Sequence, residues 1–279
     1  MTCNASSSDR GASPPDVPTR GPVLVLCAVE ERLAVVLAEN GRVLQAERDQ
    51  GQGLAMTFLA PAVARVLDRA ALTPQGLSGV ACVRGPGSFT GIRVGLALCR
   101  GLCLGAGVSS WGLDYLPLVA RGAALGDPAA RRVVAVVHAR KGLVYFQAFQ
   151  VGEEGAPAPL AAACVLAVRE AADLAASLAT ASGVGPLRVV GTGLRNNREV
   201  FATVLEPEVL LSADSAFPDP AALALAATGS SRDLPAPVEP LYLRPSDAEE
   251  NLAAVAGERG LSTESARAAL GAARSSLPS

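Results

Sequence analysis

Apolar and polar positions alternate between strand-like and helix-like spacing along this chain, and the same succession of patterns begins twice. The first succession opens with three strands, and the hairpin signal Asn40-Gly41 separates its second strand from its third. Its predicted strands lie at 23–29, 33–37, 43–47 and 79–83, and its predicted helices at 54–70, 91–105 and 113–124.

The second succession starts after Asp127-Pro128. Apolar runs predict strands at 132–138, 143–149 and 187–190, and an alanine-rich segment predicts a helix at 169–181. Strand–helix alternation that begins twice favours an α/β class with two related lobes, each a mixed sheet with flanking helices. The predicted organisation is a disordered leader at 1–21, lobes at 22–127 and 128–248, and a polar tail at 249–279.

Charge and composition bear on which ligands the chain can hold by itself. The formal net charge is −2, and aromatic residues make up only 4% of the chain. Proteins that hold tRNA unaided usually carry a basic surface, because neutralised phosphates supply most of the affinity. We therefore expect any contact with tRNA to be made through a partner. We also expect a cytoplasmic protein without a membrane segment, because the sequence has no apolar secretion signal and no sufficiently long charge-free apolar stretch.

The six cysteines form no CxxC pair, and most of them lie inside apolar runs. We expect buried free thiols rather than disulfides or a metal site. Cys99 and Cys103 are four residues apart on a predicted helix, but no second pair of ligands completes a tetrahedral zinc site. The sequence thus predicts neither a metal nor a cofactor.

The most specific segment is a glycine-rich loop that follows the strand at 79–83 and opens an apolar helix. This signature loop consists of Arg84, Gly85, Pro86, Gly87, Ser88, Phe89, Thr90 and Gly91. Its glycines permit turns that a Cβ would block, and Ser88 or Thr90 is a candidate helix cap. The loop is either an anion-binding helix start or a tight turn without a ligand, and it lacks the Gly-Lys-Ser/Thr of a Walker A loop.

The helix after this loop is apolar nearly all round, although a surface helix normally has one polar face. Either it is a core helix covered by the helix at 54–70, or part of it is an interface for another protein. The candidate interface residues are Phe58, Ala62, Arg65, Ile92, Arg93, Gly95, Leu96, Cys99 and Arg100. Arg84, Arg93 and Arg100 are either solvated charges or contacts to a partner or a phosphate.

The run from Arg84 to Gly95 resembles the signature segment of the TsaB family. Weaker matches follow in the family's order over about 22–244, at 108–110, 139–145, 191–193 and 240–244. The resemblance implies an actin-like (ASKHA, RNase H-like) fold of two lobes. It also implies pairing with the catalytic subunit TsaD through helices of the first lobe, with the ATPase TsaE as a further partner. Such a complex attaches a threonylcarbamoyl group to adenosine 37 of tRNAs that read codons beginning with A. An exposed apolar helix pair would also favour a homodimer when the partner is absent.

The resemblance further implies an acidic residue at the first turn of each lobe, where actin-like enzymes handle Mg-ATP. This chain has Cys27 at the first position and His138 at the second, so neither position keeps a hard oxygen ligand for magnesium. We therefore expect a subunit without catalytic activity of its own. Two alternatives stay open: a kinase or ATPase of the same fold, and a peptidase-like hydrolase that uses His138 in a triad. The hydrolase alternative lacks a G-x-S-x-G elbow.

Overall fold

A computed structural model gives the fold of the chain. It describes residues 21–51, 53–152, 155–181, 183, 185–228, 238–245 and 262. The predicted leader and polar tail, apart from Gly21 and Ser262, lie outside the described residues.

The first sheet has five strands in the order β3-β2-β1-β4-β5. The strands are β1 (Val23–Cys27), β2 (Arg32–Glu39), β3 (Arg42–Gln50), β4 (Gly79–Gly85) and β5 (Ser110–Asp114). Strands β1, β2 and β3 form an antiparallel meander, whereas β4 and β5 run parallel to β1. Asn40 and Gly41 both have positive φ, of 50° and 76°, as a two-residue hairpin turn requires. The predicted three-strand opening is confirmed.

Helices α1 (Ala55–Arg69) and α2 (Phe89–Ala106) pack on one face of the first sheet, and α3 (Tyr115–Gly126) packs on the other. The prediction that the third helix starts at residue 113 was wrong, because β5 continues to Asp114. In β5, Trp111 and Leu113 are buried and alternate with more exposed neighbours, which is the period of a strand. A run of five residues was too short for this period to stand out in the sequence.

The second sheet repeats the plan of the first, with the strand order β10-β6-β7-β8 and β9 also paired with β7. Its strands are β6 (Arg132–Arg140), β7 (Leu143–Val151), β8 (Pro157–Pro159), β9 (Cys164–Ala167) and β10 (Leu187–Val190). The remaining helices are α4 (Val168–Thr180), α5 (Thr192–Asn196), α6 (Arg198–Ala202) and α7 (Pro220–Thr228). Two mixed sheets of this plan, each with helices on its faces, confirm the predicted actin-like α/β class.

Within the described part of the chain, three apolar cores hold the layers together. One core joins α1 and α2 to the first sheet, and another joins α4 and its neighbours to the second sheet. The central core lies between the two sheets and contains α3 together with Leu223, Ala224 and Ala227 of α7. Helix α7 therefore packs against the first sheet although it follows the second sheet in the chain. The lobe boundary at 127/128 stays a prediction.

Candidate functional site

The signature loop is anchored on the residues that follow β1. The Ser88 N–H donates a hydrogen bond to the carbonyl oxygen of Val29 at 2.7 Å. A Cβ at Gly87 would collide with the same carbonyl, and a Cβ at Gly91 would collide with the carbonyl oxygen of Ala28. Ser88 is also the helix cap, because its Oγ accepts a hydrogen bond from the Gly91 N–H at 3.2 Å. Gly87 and Gly91 are thus required, because the loop lies against the backbone of Ala28 and Val29, directly after β1.

A C-terminal segment at 238–245 closes over the signature loop. The Leu241 N–H donates to the carbonyl oxygen of Arg84 at 2.8 Å, and the rings of Phe89 and Tyr242 are stacked with centroids 4.5 Å apart. The Arg93 Nε donates to the Tyr242 hydroxyl at 3.2 Å. From the sequence, 240–244 was recognised only as a family match, and its place on the loop was not predicted.

Arg84 is tied to its own lobe by an ion pair. Its Nε lies 2.6 Å from Asp114 Oδ1 at the end of β5. The aliphatic part of the Arg84 side chain crosses β5 at Gly112, where a Cβ would lie 2.6 Å from Arg84 Cδ. Of the three arginines singled out in the sequence, Arg84 therefore has an acidic partner within the chain, and Arg93 and Arg100 lie exposed on α2.

The candidate interface residues divide into a covered group and an exposed group. The side chains or glycine positions covered by the chain itself are Phe58, Ala62, Ile92, Gly95 and Cys99. Leu96 is half-buried, whereas Arg65, Arg93 and Arg100 are exposed. The covered residues are part of the packing between α1, α2 and the first sheet, so they are not available for direct contact. The Arg65 Nη2 pairs with Glu47 Oε2 on β3 at 3.0 Å.

The outward side of α2 is exposed and carries apolar residues and glycines beside the exposed Arg93 and Arg100. Of the eighteen residues of α2, only four are buried. Leu104 is 78% exposed, and Gly101 and Gly105 face open space. On α1, Met56 is 74% exposed. Helix α1 thus covers one side of α2 and leaves this face free. We call the surface formed by Ala97, Gly101, Leu104 and Gly105 the outer α2 face.

Helix α2 is also long and apolar enough, by length and composition alone, to span a membrane. One such helix is weak grounds for a membrane protein, because core helices of water-soluble proteins have the same composition. Its buried side, formed by Ile92, Gly95 and Cys99, packs on the first sheet.

Both positions where the acidic residues were expected lie near Thr192, which contacts His138 on β6 and Glu30 after β1; we call this region the cleft. Cys27 is buried, and burial raises the pKa of its thiol to about 12. His138 lies at the surface end of β6, where burial of its ring and the nearby Arg195 and Arg244 lower its pKa. Neither residue supplies a carboxylate oxygen. Among the residues that the structure describes, no group of three His, Cys, Asp or Glu side chains is arranged to hold a metal ion.

A carboxylate that sequence reasoning missed nevertheless lies in the cleft. Glu30, three residues beyond Cys27, accepts a hydrogen bond from the Tyr115 hydroxyl at 2.7 Å and another from the Thr192 hydroxyl. Burial raises the pKa of Glu30 to about 7, against the opposing effect of these two hydrogen bonds. The adjacent Glu31 forms an ion pair with Arg195 Nη1 at 2.8 Å. The only signal available in the sequence was a Glu-Glu pair directly after an apolar strand.

Comparison with known proteins places these features in a family. The sequence model of the family described as "TsaD: tRNA N6-adenosine threonylcarbamoyltransferase" matches residues 56–182. The TsaB protein of Escherichia coli is 37% identical over 97 residues, which are 35% of this chain and 42% of the relative. The chain thus spans about two fifths of the length of that curated relative. An uncharacterized protein of Mycobacterium tuberculosis is 30% identical over 191 residues, which are 68% of this chain and 75% of the relative.

Solved structures show the same fold. A Pseudomonas aeruginosa structure, described as an uncharacterized protein with similarity to peptidase YEAZ, has a TM-score of 0.65 at 24% identity. The match covers 81% of this chain and 100% of that chain. A structure described as YeaZ from the same organism has a TM-score of 0.61 at 24% identity, over 80% of this chain and 100% of that one. At this identity the likeness concerns the fold alone. The relatives named TsaB and the matching family model show that the chain belongs to the TsaB family.

Proposed function

We propose that this chain is a non-catalytic subunit of the complex that makes N6-threonylcarbamoyladenosine at position 37 of tRNAs that read A-starting codons. In this proposal it pairs with a TsaD-like catalytic subunit through the outer α2 face. The observation that carries the proposal is the exposure of apolar residues on the helix that follows the signature loop. Apolar patches of this kind on a water-soluble protein mark contact sites for other proteins.

The residues in the cleft favour a subunit without catalytic activity of its own, whose partner carries out the chemistry. The two positions that would carry acidic residues in an actin-like enzyme hold Cys27 and His138. The carboxylate that is present, on Glu30, is already bonded to Tyr115 and Thr192. A stand-alone kinase or ATPase would need free oxygen ligands for magnesium in this cleft.

The further partners follow from the same proposal. A TsaE-like ATPase would join the complex, and tRNA would be held through the complex, because the chain carries a net charge of −2. Without its partner, the outer α2 face would favour a homodimer. The proposed location is the cytoplasm.

The test is size-exclusion chromatography with light scattering, on the chain alone and mixed with TsaD from the same organism. We expect a heterodimer peak that Leu104→Glu weakens at least tenfold, because the substitution would bury an unpaired charge at the contact. Leu104 is a suitable test position, because it is 78% exposed and a charge there leaves the core intact.

The matched control is Leu174→Glu, since Leu174 is an exposed leucine on helix α4, which packs on the second sheet. The control should associate with TsaD like the parent. No association between the parent and a TsaD that is competent toward another subunit would refute the proposal. Equal weakening by both substitutions would refute the assignment to the outer α2 face.

A further inference from the structure

A cavity of about 320 Å³ lies where the end of β5 and the start of α3 meet α7 and β8. None of its lining residues belongs to the outer α2 face or to the hydrogen-bonded group around Glu30. Its apolar walls are formed by Leu113, Pro117, Leu118, Pro157 and Ala226. Ligand pockets in proteins begin at about 300 Å³, so this cavity has room for a small organic molecule.

Arg121 of α3 places a positive charge without a partner in this cavity. Its side chain is half-buried, and burial lowers the pKa of its guanidinium, although an arginine remains charged at any ordinary pH. Within the described residues, no carboxylate pairs with this guanidinium and no carbonyl oxygen accepts a hydrogen bond from it. A charge that is partly removed from water costs free energy unless it is paired. An anion bound in the cavity would supply the missing partner.

Arg84 reaches the same cavity from the end of β4. Its Nε lies 2.6 Å from Asp114 Oδ1, and its Nη groups form no hydrogen bond within the described part of the chain. Asp114 is the N-cap residue of α3 but makes no capping hydrogen bond, so its carboxylate is engaged by Arg84 alone. The Nη groups of Arg84 are therefore free to donate to a second acceptor.

The charges that line the cavity favour a ligand with a single negative charge. Two arginines and one aspartate give the lining a formal charge of +1. Because Asp114 is already paired with Arg84, the charge of Arg121 is left for the ligand. A carboxylate carries one negative charge, and its two oxygens match the planar donors of a guanidinium. The apolar walls suit a hydrocarbon group attached to that carboxylate.

We propose that this cavity binds a small organic carboxylate, whose charged end contacts Arg121 and an Nη group of Arg84 and whose apolar part lies against the leucine and proline walls. Arg84 is also the first residue of the signature loop, and its carbonyl oxygen accepts the hydrogen bond from the Leu241 N–H. A bound carboxylate would thus contact the loop beside the segment at 238–245. The proposal goes beyond the proposed function and does not depend on a TsaD partner.

An NMR titration of the full chain with sodium benzoate, at neutral pH and constant ionic strength, tests the proposal. Benzoate combines one carboxylate with a small apolar ring. We expect the backbone amide signals of Gly112 and Leu118 to shift saturably, with a dissociation constant of about 1 mM or tighter. Benzamide has nearly the same shape without the charge, and it should bind roughly tenfold more weakly or worse.

Two substitutions and a matched control locate the binding site. Arg121→Met should weaken the binding of benzoate roughly tenfold or more and keep the fold intact, because methionine retains apolar contacts and removes a charge that has no partner in the described chain. Arg84→Met should weaken binding further, because Asp114 would then present an unpaired carboxylate to the ligand. The control is Arg131→Met, which removes an exposed arginine at another cavity and should bind benzoate like the parent.

Several outcomes would overturn the proposal. They are the absence of a saturable shift in the parent, equal binding by the parent and Arg121→Met, and equal weakening by Arg121→Met and Arg131→Met. Equal binding of benzamide and benzoate would show an apolar pocket instead of an anion site. Tighter binding of inorganic phosphate than of benzoate would overturn the assignment to a carboxylate.

Discussion

The outer α2 face and the cleft between the lobes differ in what covers them. The outer α2 face consists of apolar residues and glycines, and its Leu104 is 78% exposed to solvent. The cleft is polar, and its carboxylate at Glu30 is bonded to Tyr115 and Thr192 of the chain itself. The outer α2 face is thus open to another molecule, whereas the carboxylate in the cleft is bonded within the chain. The difference indicates that the proposed function depends on contact with another protein rather than on a small ligand in the cleft.

The largest effect should come from disturbing the contact between α2 and the end of β1. Gly91→Val would place a branched side chain against the carbonyl oxygen of Ala28, where even a Cβ does not fit. We expect the free energy of unfolding to fall by about 3 kcal/mol or more, because the neighbouring group is backbone and cannot turn aside. Denaturant unfolding measures this loss. A decrease below about 1 kcal/mol would show that the loop is held less tightly than the geometry indicates.

The next effect concerns the cleft and its dependence on pH. A carboxyl whose pKa is raised in the folded state stabilises the fold most below its unfolded pKa, and this advantage is lost as the pH rises through the folded pKa. For Glu30 the window runs from about 4.5 to about 7. Relative to Glu30→Gln, the parent should therefore lose roughly 3 kcal/mol of stability between pH 4.5 and pH 8. Urea unfolding at a series of pH values measures the difference, and a constant difference across the series would contradict the prediction.

The smallest effect should come from the outward side of α2. Gly101→Ala adds a methyl group where nothing lies within 4 Å, so the helix gains a better helix former without a collision. We expect the free energy of unfolding to rise by about 0.5–1 kcal/mol. Gly91→Val and Gly101→Ala thus give opposite signs on one helix, and thermal unfolding of both proteins sharpens the contrast between its two sides. A loss of stability in Gly101→Ala would mean that the outer α2 face is covered in solution.

Local patterns in the sequence predicted most of the elements but few of the contacts between them. Helix α1 and strand β10 were predicted, and Ser88 was one of two candidate caps, because their signals lie within one or two turns of chain. The bond between Glu30 and Thr192 joins residues 162 positions apart, so no local pattern could indicate it. The closing of 238–245 over the signature loop was missed for the same reason.

The division of α2 into a covered and an uncovered side was likewise left open by its composition. Ile92 and Leu104 are both apolar helix residues, yet one is fully buried and the other is 78% exposed. Their difference depends on where α1 and the first sheet lie, which is a property of the tertiary structure. The candidate interface list therefore mixed residues from both sides.

The return of α7 to the first sheet has a consequence for how the protein is made. Strands β1 to β5 are complete long before Leu223 and Ala224 leave the ribosome, yet these two residues belong to the core on that sheet. During synthesis, which adds roughly 5–20 residues per second, the growing chain carries an unfinished apolar surface while the whole second sheet is still being translated. We therefore expect the nascent chain to depend on chaperones over this interval, and its folding to be governed by contacts that close late.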